Sequence, residues 1–134
     1  MAIIHYFAPM MKMRIFGLVF LGMAAACYNP PRNCNDFKEG EFRFTTVVGE
    51  NEQTTTFIRR KSIEIDYYQE KADTSSIRWI NDCEYVVKKI NPKTPAEEKS
   101  IHMKILSTTD SSYTFEYGLV GSSKKSRGTA FKVN

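Results

Sequence analysis

Apolar and polar residues alternate along most of the chain from Gly40 onward. "GEFRFTTVV" (Gly40–Val48) puts Phe42, Phe44, Thr46 and Val48 on one face, with Glu41 and Arg43 on the other. "TTTFIRR" follows the turn-like "GENEQ", and "SIEIDYY" sets Ile63, Ile65 and Tyr67 opposite Glu64 and Asp66. "SSIRWI" and the β-branched, aromatic "CEYVVKKI" come next, then "IHMKIL", with Ile101, Met103 and Ile105 facing away from His102 and Lys104. "SYTFEYGLV" aligns Tyr113, Phe115 and Tyr117, and "GTAFKV" aligns Thr129, Phe131 and Val133. Period-two alternation marks strands with one buried face, and these runs predict about eight short strands. Turn chemistry separates them: "KADTS", "ND", "NPKTPAEEK", "TTDSS" and "GSSKKSRG". Within "TPAEEKSI", Thr94 as N-cap and Pro95 at the first position predict a single helical turn inside a loop. The expected fold class is all-β, an antiparallel up-and-down meander curled or closed into a barrel so that its edges are protected.

The stretch "MKMRIFGLVFLGMAAACYNPPRNC" (Met11–Cys34) follows a different rule. A dozen uncharged residues run from Ile15 to Ala26, too few for a membrane-spanning helix, which needs roughly 20. Lys12 and Arg14 precede the apolar run, no acid lies upstream of Cys27, and Ala24-Ala25-Ala26 ends it. A basic start, a short apolar helix and small residues form the layout of a secretory signal peptide. With Cys27 directly after the alanines, the motif resembles a bacterial lipobox, although such motifs more often carry Leu at the position of Ala24. The resemblance implies cleavage before Cys27 and a diacylglyceryl group on its thiol. The expected domains are therefore a signal peptide over 1–26, a tether over 27–35 and a β-barrel domain over 36–134. Residues 1–10, "MAIIHYFAPM", sit ahead of the basic start and read as a start-site extension, with translation beginning at Met11 or Met13.

Removing the signal changes the charge. The whole chain has 19 basic and 15 acidic residues, and without Lys12 and Arg14 the balance is 17 to 15, a formal +2. A nucleic-acid binder keeps a concentrated basic face, and no nucleic-acid partner is expected here. "KKSR" (Lys124–Arg127) lies in a Gly/Ser loop and reads as a solvated tip. Of the three cysteines, lipidation of Cys27 leaves Cys34 and Cys83, an even pair in an oxidising compartment. A disulfide between them would close a loop of about 50 residues and contribute roughly 4 kcal/mol. Two buried thiols, or a metal pair, are the alternatives. With only His5 and His102 in the chain, no metal site and no cofactor are expected.

The order and spacing of the strands resemble the lipocalin-like barrels of small bacterial envelope lipoproteins. The local cues are "NCNDFKEGEF" at the first strand, the hairpin "FIRRKSIEI", and "IRWINDCEYVVKK" with Trp79 just before a turn and Cys83. Strands of about six residues imply a shallower barrel than that of a ligand-carrying lipocalin. Proteins of this kind carry names borrowed from DNA topoisomerase IV; strand cleavage has no support in an exported chain whose tyrosines sit in strand patterns. An eight-stranded barrel is just wide enough to be filled by its side chains or to hold one small ligand. Phe57, Arg59, Tyr67, Trp79, Tyr85, Phe115, Tyr117 and Phe131 are the expected cavity residues, with Arg59 placed to meet a carboxylate. The contrasting reading is that these aromatics, with Phe42 and Phe44, simply fill the core.

No catalytic residue is expected. His102 falls on the solvent face of its strand, and Glu64 with Asp66, although spaced to pair as acid and base, read as solubilising. No Gly-rich phosphate loop or nucleophile elbow is present. The expectation is a non-enzymatic lipoprotein of the bacterial cell envelope, anchored to a membrane through Cys27 and facing the periplasm. It would act as a structural or protein-interaction module with an envelope protein as partner. The alternative is a binder of a lipid or other small apolar ligand inside the barrel.

Overall fold

The computed structural model describes residues 29–134. The expected signal peptide, its start-site extension and the lipidation site Cys27 lie outside the described residues. Strand β1 (Gly40–Val48) turns into β2 (Asn51–Arg60), followed by β3 (Ile63–Tyr68) and β4 (Lys71–Asn81). β5 (Glu84–Lys89), β6 (Ile101–Thr108), β7 (Ser112–Leu119) and β8 (Ser126–Lys132) complete the set. Each strand pairs antiparallel with the next, and β1 pairs back onto β8 through Phe42↔Lys132, Arg43↔Phe131 and Phe44↔Ala130. The sheet is thus a closed eight-stranded barrel, and closure leaves no free edge. β1, β2 and β4 have 9, 10 and 11 residues, so part of the wall is taller than the six-residue expectation.

Most inward faces follow the alternation. Phe42, Phe57, Ile77, Tyr85, Ile105, Tyr113 and Phe115 form the core with Ala130. β3 is the main correction. Its apolar positions face outward, with Ile63 and Tyr67 more than 40 % exposed, while Glu64 is buried and Asp66 points inside. The cause is the two-residue turn Lys61–Ser62, with Lys61 at φ 52°. That turn fixes the register Arg59↔Glu64 and Phe57↔Asp66, and directly opposed residues share a face. Once Phe57 and Arg59 point inward, Glu64 and Asp66 must do so too. β8 departs in the same way: Phe131 is 54 % exposed, and Gly128 and Ala130, paired with Phe115 and Tyr113, point inside instead.

One end of the barrel is plugged. A short 3-10 turn (Cys34–Phe37) buries Phe37 against Phe42 and Tyr113, at ring-centroid distances of 6.4 and 5.2 Å. The disulfide Cys34–Cys83 ties it to the β4–β5 turn, with Cα atoms 5.3 Å apart. Lys38 lies 4.9 Å above the Trp79 ring, and Lys132 Nζ donates to the Asp36 carbonyl at 2.7 Å. Docking begins before the expected end of the tether at Asn35. Thr108 N–H donates to the Pro31 carbonyl at 3.2 Å, and Asn33 N–H donates to Thr108 Oγ1 at 2.8 Å. The loop between β5 and β6 contains the single turn expected there, with Glu97 N–H donating to the Thr94 carbonyl.

Candidate functional site

Arg59 forms the floor of the barrel interior. It is 1 % exposed, and each of its three guanidinium nitrogens donates to a protein oxygen. Nε reaches Glu64 Oε2 at 3.1 Å, NH1 reaches the Phe37 carbonyl at 2.7 Å, and NH2 reaches the Tyr85 and Tyr113 hydroxyls at 2.8 and 3.1 Å. The rings of Phe42, Phe57 and Tyr85 surround it, with centroids 5.2, 5.4 and 4.7 Å from Cζ. Burial opposes its charge, but the two phenol oxygens and the Glu64 carboxylate more than offset that. A buried charge survives only when it is paired and hydrogen-bonded in this way. Burial also pushes the Tyr85 and Tyr113 phenols up, so both stay neutral.

Above this floor is a cavity of about 230 Å³. Its walls include Phe44 of β1, Thr55 and Phe57 of β2, Val87 of β5, Ile101 and Met103 of β6, and Phe115 and Tyr117 of β7. Glu64 and Asp66 of β3 supply the polar side, and the cavity opens at the end opposite the plug. Rings pack around its wall, with Phe44–Phe115 at 5.4 Å and Phe115–Tyr117 at 5.6 Å. Gly128 makes this possible, because a Cβ there would sit 2.5 Å from Phe44 Cε2 and 2.9 Å from Phe115 Cζ.

Asp66 is the chemically unusual group. Removal from water first, and the adjacent Glu64 charge next, raise its carboxyl from 3.8 to about 8. Asp73, its cross-strand partner on β4, adds to the effect, while Arg59 works against it.

Of the expected cavity residues, Phe57, Arg59, Tyr85, Phe115 and Tyr117 do come together around this space. Arg59 is not placed to meet a ligand carboxylate, because its nitrogens are committed to the floor. Trp79 packs on Tyr85 at 4.5 Å, beneath Lys38 and beside the plug rather than in the cavity wall. Tyr67 and Phe131 lie on the outer surface. Glu64 and Asp66, read as solubilising, are the site residues that alternation concealed; the hairpin register was the signal that could have found them. His102 lies on the outer face, 3.8 Å from Glu84 Oε2. Arg127 is exposed at the start of β8, just after the solvated β7–β8 loop, and lies 3.6 Å from its cross-strand partner Glu116. No family model matches the chain, and no curated protein or solved structure matches it.

Proposed function

We propose that this domain is a non-enzymatic binder of a compact, largely apolar small molecule, held in the cell envelope by lipid on Cys27. The observation that carries the reading is the cavity of about 230 Å³ above the Arg59 floor. Packed cores leave few voids larger than a water molecule, and an apolar cavity of about 150 Å³ takes up benzene. A space of this size suits a ligand somewhat larger than benzene, whereas drug-sized ligands occupy about 300–1,000 Å³. That favours a compact body over a long acyl chain. A filled barrel would have left only the outer surface to work with, as an interaction module requires; the open interior moves the weight inside.

The chain enters at the plugged end, near Pro31 and Asn33. A lipid on Cys27 would therefore hold that end toward the membrane, with the cavity mouth facing away. Indole, titrated against the full chain and followed by the Met103 methyl resonance, tests the binding reading. Saturable shifts that vanish in Val87→Trp, which fills the cavity, are the expected result. Absence of shifts in the wild type, or shifts that persist in Val87→Trp, would overturn it. Metabolic labelling with a palmitate analogue, lost in Cys27→Ser, tests the anchor.

A further inference from the structure

We infer that the ligand is a compact organic cation, an amine whose ammonium meets Asp66 and whose apolar body lies among Phe44, Val87, Met103 and Phe115. The inference rests on the cavity-binding reading and adds the ligand's charge. Its basis is the way charge is distributed around the cavity. Two carboxyls of β3, Glu64 and Asp66, line the cavity, and Asp73, the cross-strand partner of Asp66 on β4, is exposed outside its lining. Glu64 is taken by Arg59 at 3.0 Å, and Asp73 is 3.7 Å from Lys89. Among the described residues, Asp66 has no cation within ion-pair distance, although it lines the cavity. The site therefore has one carboxyl more than its cations neutralise, and Arg59 has no nitrogen without a protein acceptor.

The rest of the wall suits the same ligand. Phe44, Phe57, Phe115 and Tyr117 offer aromatic surface, whose negative face attracts an ammonium group. A carboxylate ligand would instead meet Glu64 and Asp66 with no free cation to receive it. The groups facing Asp66 are Glu64 on its own strand, Arg59 from β2 and Asp73 from β4, with the phenols of Tyr85 and Tyr113 deeper in the barrel. Lys124 and Lys125 line a separate groove that shares Ile101 and Tyr117 with the mouth. Both are exposed, in the loop between β7 and β8 on the far side of the barrel from β3, where solvent screens them. Asp66 is held largely protonated at neutral pH. As an ammonium binds, the Asp66 proton leaves to the buffer, so uptake strengthens as pH rises toward about 8.

The test is a titration of the full chain, followed by the Met103 methyl resonance, with three probes of similar size. These are 2-phenylethylamine, the neutral 2-phenylethanol and the anionic 3-phenylpropionate. At neutral pH the amine is expected to bind about tenfold more tightly than the alcohol, to tighten between about pH 6 and 8, and to lose its preference in Asp66→Asn. Alcohol or carboxylate binding as tight as the amine, or an amine preference that survives Asp66→Asn, would overturn the inference and leave the cavity reading standing. If none of the three probes moves Met103 while indole does, the inference fails and the cavity reading stands; if indole fails as well, both fall.

Discussion

Arg59 on β2 and Glu64 on β3 are direct cross-strand partners, joined at 3.0 Å inside the barrel although only five residues separate them in sequence. The pair links a hairpin closed by a two-residue turn to the most buried charge among the described residues. Removing one partner strands the other in a dry interior, which typically costs about 3–5 kcal/mol. Arg59→Met should therefore lower stability by about that much, and it should also free the Phe37 carbonyl, Tyr85 and Tyr113 from their shared donor. Combining it with Glu64→Leu should recover a large part of the loss, since the stranded carboxylate is then gone. Urea unfolding of the two single variants and the double variant measures the coupling. Additive losses would mean that the pair does not act as a unit.

Asp66 makes stability depend on pH in an unusual direction. Its folded carboxyl is raised from 3.8 to about 8, so between those values the fold holds a proton that the unfolded chain has released. Stability attributable to this group is complete below the lower value and is lost as pH rises through the window. The loss is at most about 1.4 kcal/mol per pH unit, reduced by the partial exposure of the side chain, and it levels off above the folded value. Asp66→Asn should flatten this slope and be more stable than the wild type at pH 8. Denaturation midpoints at pH 5, 6.5 and 8 give the check, and parallel pH profiles for the two proteins would count against the assignment.

Much of the barrel was legible in its alternation, because closure of an antiparallel meander requires little more than short amphipathic strands and tight turns. β7 reads correctly since Tyr113, Phe115 and Tyr117 are both apolar in pattern and inward in fact. β3 misleads because its apolar side, Ile63 and Tyr67, coats the outside while its acids face the cavity. Hydrophobicity and register conflict there, and register prevails: Phe57 and Arg59 are already committed inward, and the turn at Lys61–Ser62 leaves no slack residue. Such a local conflict between pattern and fold tends to mark a functional site. The plug was less legible still, since four residues of 3-10 turn carry no periodicity.

Gly128 shows how closely the cavity wall is fitted. It faces Phe115 across the β7–β8 pairing, and an added Cβ would press on both Phe44 and Phe115. Overpacking of this kind costs about 1–3 kcal/mol. Gly128→Ala should lower stability within that range and push one or both rings toward the cavity. Thermal unfolding, together with loss of indole-induced shifts at Met103, would register both effects. A neutral substitution would show that the rings move aside freely.

The disulfide and the plug should act together. Cys34 is 2 % exposed and begins the turn that seats Phe37 beneath Arg59, while Cys83, 49 residues away, starts the approach to Tyr85. Closing a loop of that length contributes about 4 kcal/mol through the unfolded state. Replacing both cysteines by Ser should cost that much or less, because Thr108 still holds Pro31 and Asn33. It should cost more on top of Phe37→Ala, where the plug has already lost its anchor in the core, than in the wild type if residual docking depends on the bridge. Thiol labelling of the native chain, with and without reductant, first establishes the bonded state. Urea unfolding of the Cys34→Ser/Cys83→Ser variant, alone and with Phe37→Ala, then measures the coupling. Two reactive thiols without reductant would remove the bridge from the account, and strictly additive losses would separate it from the seating of Phe37.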